Sequence, residues 1–258
     1  MRGLSRSARA ARKPSRHRGV AEERLQRALA RAGFGSRRAC EELISHRRVT
    51  VNDRVAMLGD RVDPARDRVL VDGSLANLDP ESRYFAFNKP AGVVTTARDP
   101  QGRVDLRGFL PEGSRVFAVG RLDRDTEGML ILTNDGELAN RLMHPRHAVE
   151  KEYLAEVEGR PSRELLARLE AGVELDDGPA RAVSARAVAR SGRASAIRLV
   201  MVEGRKREVR RLLAGVGLPV RRLVRLRVGP VRLGRMRPGD VRELSADEVR
   251  GLFRAAGL

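Results

Sequence analysis

Four apolar residues in a row, Met129-Leu130-Ile131-Leu132, follow directly on a charged stretch, GRLDRDTEG, running from Gly120 to Gly128. With no polar alternation, such a run reads as a strand buried on both faces, and Val116 to Val119 on the other side of the charged stretch reads similarly. A loop held between two interior strands is fixed in place, so the carboxylate of Asp123 is positioned well enough to act on a substrate. On composition alone, Arg121, Asp123, Arg124, Asp125 and Glu127 would instead make a surface turn whose charges pair with one another. The rest of the chain has to decide between the two.

The 258 residues are 41% hydrophobic, enough for one good core or for a small and a medium domain. Arg recurs every few positions even in the most apolar segments, so no window approaches the roughly 18 consecutive apolar residues of a membrane span, and no membrane partner is expected. The single cysteine, Cys40, excludes an intrachain disulfide framework and a Cys-cluster zinc site, and it suits a reducing, cytoplasmic setting. A formal net charge of +18 calls for an anionic partner, nucleic acid first and anionic lipid second. Seven of the basic residues (Arg2, Arg6, Arg9, Arg12, Lys13, Arg16 and Arg18) crowd into residues 1–21 without an acid. This segment reads as a basic disordered tail, with an organellar transit peptide as the alternative.

Beyond the tail, Leu25, Ala28, Leu29 and Ala32 fall at helical spacing and Gly33 stops the run. A second helix follows, with Ser36 as its N-cap, Ala39, Cys40, Leu43 and Ile44 on its apolar face, and Arg37 and Arg38 in its first turn. Cations there oppose the helix dipole, which is better explained if an outside anion such as phosphate sits nearby. Val49, Val51 and Val55 alternate around an Asn52-Asp53 turn, and Val69 and Val71 alternate before Asp72-Gly73, giving short strands. Residues 22–72, with RLQRALARAGFGSRRACEELISHRRVTVND, resemble the S4-type RNA-binding domain. That resemblance implies a basic face for folded RNA, whereas the residues alone also fit a helical protein-interaction module. Polar residues 73–82, with Pro80, read as a linker.

From residue 83 to 258, strand-like pieces (Tyr84 to Phe87, Val116 to Val119, Met129 to Leu132, Tyr153 to Val157, Ala196 to Val202) alternate with helical ones (Glu137 to Met143, Ser162 to Ala171). The expected class is α+β, a small S4-like αβ domain followed by a larger domain with a mixed, largely antiparallel sheet.

Two further stretches bear on chemistry. In EGRKREVRRLLAGVG, Glu203 to Gly217, Val209, Leu212, Leu213 and Val216 form an apolar helical stripe, with Arg207, Arg210 and Arg211 on another face. An Arg beside such a stripe can meet a partly buried carboxylate, although a solvated basic face fits most of these residues. In KEYLAEVEG, Lys151 to Gly159, Tyr153 is one of only two tyrosines, in a chain without Trp. An aromatic face can hold an unstacked base, but a lone strand Tyr also suits a core.

Together with NKPAGVVTT and GRLDRDTEGMLILTNDGELANRLMHP, these stretches make the chain resemble the RsuA/RluB type of ribosomal-RNA pseudouridine synthase over nearly its full length after the tail. The resemblance implies Asp123 as the catalytic aspartate, Tyr153 as the ring that packs on the target uracil, and Arg210 as the basic partner of Asp123. Isomerising uridine breaks the bond from N1 to C1′ and remakes it from C5 to C1′, so no atom is gained and no cofactor is expected. The aspartate either forms a covalent adduct or assists a glycal route, and both need an ionised Asp123 beside C1′. Expected RNA contacts are Arg37, Arg38, Arg47 and Arg48 in the small module and Arg121, Arg207 and Arg211 in the larger domain. Arg221, Arg222, Arg225 and Arg227 read as phosphate contacts, with solvated surface as the alternative. The four histidines lack metal-site spacing, so no metal is expected. The implied partner is ribosomal RNA or an assembly intermediate, 23S in preference to 16S, met by a monomer. A non-catalytic RNA-binding ribosome-assembly protein is the rival reading.

Overall fold

A computed structural model of the chain describes residues 22–78, 80–96, 101–110, 115–191 and 194–258; the basic tail expected over residues 1–21 lies outside them. The chain divides into two units after Pro80.

The first unit opens with β1 (Glu23–Arg24) and α1 (Leu25–Ala32), whose Leu25, Ala28 and Leu29 are fully buried. Gly33 ends the helix at φ 90°, a conformation that costs glycine no Cβ clash. Then α2 (Arg37–Ser45) starts on Ser36, whose hydroxyl accepts from the Ala39 amide at 3.1 Å, and it adds Cys40 and Ile44 to the core. The strands β2 (Val49–Val51), β3 (Arg54–Val55), β4 (Arg61–Val62), β5 (Val69–Val71) and β6 (Ser74–Leu75) complete the unit. Four of them lie antiparallel in the order β3-β2-β5-β6, while β4 pairs with β1. Asn52 and Asp53 both take positive φ, the backbone that a two-residue hairpin turn between twisted strands requires.

Asp72-Gly73 repeats this device and sends the chain into β6. Ser74 to Leu78 are therefore not the linker that their polarity suggested. β6 pairs with β5, and Ala76 and Leu78 are buried in the same core as α1 and α2.

The second unit comprises β7 (Tyr84–Lys89), β8 (Phe117–Ala118), β9 (Thr126–Thr133), α3 (Gly136–Met143), β10 (Lys151–Glu158), α4 (Arg163–Ala171), β11 (Val173–Leu175) and β12 (Gly178–Ala180). It continues with β13 (Ser184–Ser191), β14 (Ala194–Met201), α5 (Glu208–Ala214), β15 (Val220–Val228), β16 (Val231–Arg232), β17 (Val241–Glu243) and α6 (Ala246–Ala255). Among the described residues, nine strands share one sheet in the order β13-β14-β10-β15-β9-β7-β17, with β8 joined to β9 and β16 to β15. Every pairing is antiparallel except the central one, β15 on β9. The class is thus α+β with a mixed, mostly antiparallel sheet.

Met129 to Leu132 are at most 1% exposed because β9 has a core on each face. Met129 and Ile131 pack with Leu138, Leu142 and Leu252 from α3 and α6, and Leu130 and Leu132 pack with Phe85, Phe87, Val93 and Leu106.

The stretch read as a row of phosphate contacts, Arg221, Arg222, Arg225 and Arg227, is instead β15 at the middle of this sheet. Arg225 is buried, and its Nε donates to the Met129 carbonyl at 2.7 Å. The other three meet carboxylates on neighbouring strands or just before them: Arg221 with Glu158, Arg222 with Glu127 and Glu156, and Arg227 with Glu152 and with Glu150, the residue preceding β10. Their charges are used between strands, so a phosphate at any of these three would have to displace a carboxylate.

The parallel pairing depends on Gly128, at φ 107°. A Cβ there would lie 2.3 Å from the Arg225 carbonyl oxygen and 2.7 Å from its amide nitrogen. Gly128→Ala therefore combines backbone strain with a clash that no rotamer relieves, and should cost upwards of about 3 kcal/mol. Urea denaturation should show a lower midpoint for this variant, whereas Gly136→Ala, which meets nothing within 4 Å, should stay near wild type.

Candidate active site

Asp123 lies in the loop between β8 and β9. The segment following β7 grips this loop. The Gly92 amide donates to the Arg124 carbonyl at 2.8 Å, and the Lys89 ammonium reaches the carbonyls of Pro90, Val93 and Arg124 at 3.0, 2.8 and 3.4 Å. At the β9 end, the Thr126 amide donates back to the Asp123 carbonyl at 3.1 Å and closes the turn. Lys89 is fully buried. Burial pulls its pKa down to about 8, although the negative charges of Asp125, Asp123 and Glu127 oppose the fall. Lys89 stands within NKPAGVVTT, yet nothing in a single Lys-Pro pair marks a lysine as buried; only the carbonyls that converge on it do.

The loop's three carboxylates differ in their partners. Arg207 holds Asp125 through Nη1 at 3.0 Å and Nη2 at 3.2 Å, and Arg210 adds a contact to Oδ2 at 3.3 Å. Burial alone would raise the Asp125 pKa, but the Arg207 hydrogen bonds and the two guanidinium charges bring it below the ordinary value. Glu127 is held low by a bidentate contact from Arg222, at 2.9 and 3.0 Å. Asp123, half-buried, has no hydrogen bond or ion pair to its carboxylate among the described residues, although its charge acts on both Lys89 and Arg207. The expectation of a turn whose charges pair with one another thus fits Asp125 and Glu127 and leaves out Asp123.

Arg210 departs from its expected role, since it is engaged by Asp125 and not by Asp123. Its Nη2 donates to the Asp125 carbonyl at 2.9 Å, Nη1 donates to the Val220 carbonyl at 3.3 Å, and Nε is buried without a partner among the described residues. Asp125 lies two residues beyond Asp123 and draws the arginine to itself, an alternative that residue spacing alone cannot separate from the expected pair. Arg211 turns the other way, forming a bidentate pair with Asp177 at 2.8 and 2.9 Å in the turn between β11 and β12. Arg205 meets Asp177 as well.

Tyr153 lies on β10, opposite Leu199 of β14 and Arg225 of β15, where the β10–β15 register shifts. It is buried, at 7% exposed. Its cluster contains Leu122, which precedes Asp123, and Val209, which precedes Arg210, so one apolar core gathers the three stretches that carry Asp123, Tyr153 and Arg210. In the same unit Arg121 is exposed beside Leu122. In the first unit, Arg37, Arg38 and Arg47 are exposed without a carboxylate partner among the described residues, whereas Arg48 forms a bidentate pair with Asp72 at 2.8 and 2.5 Å. A phosphate at Arg48, Arg207 or Arg211 would have to displace a carboxylate.

An unpaired carboxylate on a pinned loop, its charge acting on the buried Lys89 and on Arg207, is of a type that can approach an electrophilic carbon or, within a larger cluster of ligands, hold a metal. No group of three or more His, Cys, Asp or Glu side chains among the described residues could hold one. None of the helices among these residues is long and apolar enough to cross a membrane.

The sequence model of the S4 domain matches residues 23–69, and that of RNA pseudouridylate synthase matches residues 83–215. An uncharacterized RNA pseudouridine synthase of Mycobacterium leprae is 48% identical over 246 residues, covering 93% of this chain and 96% of that one. The ribosomal large subunit pseudouridine synthase B of Pasteurella multocida is 43% identical over 247 residues, covering 93% of this chain and 72% of that one. Among solved structures, a crystal structure of pseudouridylate synthase superposes with a TM-score of 0.63 at 26% identity, covering 89% of this chain and 99% of that chain. With a pinned aspartate loop behind an S4 module and these likenesses across nearly all its length, the chain belongs to the RNA pseudouridylate synthase family, isomerases that act on RNA.

Proposed function

We propose that this chain converts a uridine of ribosomal RNA, in 23S in preference to 16S rRNA, to pseudouridine, with Asp123 acting at C1′. The observation that carries the reading is the unpaired state of Asp123 in a loop whose other two carboxylates are both neutralised by arginine. A protein that only bound RNA would gain nothing from an open carboxylate facing phosphates. The preference for the large subunit is supported by the 43% identity to a relative named for it. Tyr153 supplies an aromatic ring for the extruded uracil, and the spare Nε donor of Arg210 is available to a carboxylate or to the bound nucleotide once RNA enters. Arg37, Arg38, Arg47 and Arg121 are the RNA contacts that need no partner exchanged, while Arg48, Arg207 and Arg211 would trade a carboxylate for phosphate. The covalent-adduct and glycal routes balance equally: both break N1–C1′, form C5–C1′, release the C5 proton and leave a proton on N1, and the glycal route also removes a sugar proton and returns it.

The test is tritium release from C5-labelled uridine in 23S and 16S rRNA, free and in assembly intermediates. Release should occur with wild-type protein on 23S rRNA and drop below detection for Asp123→Asn, with RNA binding unchanged. Equal release by both proteins would remove Asp123 from the chemistry, and release from 16S rRNA alone would move the substrate to the small subunit.

Lys89 gives the site a pH dependence whose sign is fixed. Its protonated form supplies the charge and the donors that hold the loop, and its pKa lies at about 8. The single-turnover rate should therefore fall as pH rises through about 8. Lys89→Met, which has no titrating amine, should be slower throughout and flat over that interval.

Exposed arginines should appear in the salt dependence of binding. Replacing Arg37, Arg38 and Arg47 with Gln should flatten the plot of log binding constant against log salt by about 0.7 to 0.9 for each phosphate that is no longer neutralised. An unchanged slope would place the RNA elsewhere.

A further inference from the structure

We propose that Thr95 is a positioning residue for Asp123, fixing the peptide on its N-terminal side through a single side-chain hydroxyl. The proposal rests on the reading of Asp123 as the residue that acts on the nucleotide. Thr95 lies 27 residues before Leu122, and its Oγ1 makes two hydrogen bonds with that one residue. It donates to the Leu122 carbonyl at 2.7 Å and accepts from the Leu122 amide at 3.1 Å. A hydroxyl has one proton to give and lone pairs to receive, so this arrangement uses its capacity in both directions.

The clamp completes a bracket. On the C-terminal side of Asp123, the Arg124 carbonyl is held by the Gly92 amide and Lys89; on the N-terminal side, Thr95 holds Leu122. Both grips come from the stretch 89–95, which is itself tied down where the Val94 amide donates to the Val104 carbonyl and the Leu106 amide to that of Thr96. No strand ladder reaches Leu122, because β8 ends at Ala118 and β9 starts at Thr126. The Leu122 side chain enters the cluster that contains Tyr153 and Val209. The two bonds from Thr95 thus fix the peptide preceding Asp123 relative to the core that carries the aromatic ring and the arginine helix. They leave the Asp123 carboxylate itself untouched.

Thr95→Val keeps the shape of the side chain and removes the hydroxyl; Thr95→Ser keeps the hydroxyl and removes a methyl. The first readout is hydrogen exchange at the Leu122 amide in the RNA-free protein, expected to quicken at least about tenfold in the valine variant and to stay slow in the serine variant. The second is the single-turnover rate of tritium release from C5-labelled 23S rRNA. It should fall about a hundredfold with valine at unchanged RNA affinity, and recover with serine, as expected for a reacting group displaced by roughly an ångström. A valine variant with wild-type rate, an equal loss in both variants, loss of RNA binding together with rate, or unfolding of the valine variant would each overturn the positioning role. If wild-type protein releases no tritium from either rRNA, the substrate reading fails by itself, and unaltered exchange at Leu122 in the valine variant would still overturn the clamp.

Discussion

The contact between two backbones, Gly128 in β9 and Arg225 in β15, is what the remainder of the second unit depends on. A parallel pair in an otherwise antiparallel sheet brings the start of β15 alongside the start of β9, with Leu223 opposite Thr126. The α5 helix, just before β15, and the Asp123 loop, just before β9, therefore meet at the same end of the sheet. An antiparallel pairing at that position would carry them to opposite ends. Glycine permits the approach because any Cβ would fall within the neighbouring peptide, and Arg225 stitches the pair further by donating to the Met129 carbonyl. A buried guanidinium is expensive unless its donors are used, and this contact uses Nε within the sheet.

Around this frame, charge is sorted more finely than a net value of +18 conveys. Arginines on β15 are matched strand by strand to glutamates on β9, on β10 and just before it, so a row that looks like an RNA surface serves as cross-strand pairing. On α5, Arg207 and Arg210 tie the helix to Asp125, while Arg211 and the preceding Arg205 tie it to Asp177 in a separate hairpin. The helix is thereby held from two sides. What distinguishes Asp123 is its exclusion from this pairing, at a point where the chain supplies ample cations. The anchoring of its loop falls to carbonyls, amides, one hydroxyl and one buried ammonium, groups whose bonds leave its carboxylate open.

Periodicity alone was enough for the elements with one apolar stripe or an uninterrupted apolar run. The α1 and α2 helices, the Ser36 cap, the Asn52-Asp53 hairpin and the interior strand at Met129 to Leu132 are all legible because local spacing encodes them. The β15 strand was not, since alternating arginines on a pleated strand look the same whether they face water or a glutamate on the next strand. β6 escaped for a different reason. Two residues after an Asp-Gly turn carry too little pattern to be told from a linker, and only the partner strand β5 gives them an identity.

By itself, the sequence determined the two-part organisation, the α+β class, the loop that holds Asp123 and the family to which the chain is similar, because motifs and apolar periodicity are properties of neighbours along the chain. Only the tertiary structure decided which arginine meets which carboxylate, that Lys89 and Arg225 are buried, and that Thr95 grips Leu122. Thr95 and Leu122 lie 27 residues apart, and Arg225 and its Met129 acceptor lie 96 apart. Their pairing follows from sheet order and register, which depend on interactions between segments that are distant along the chain.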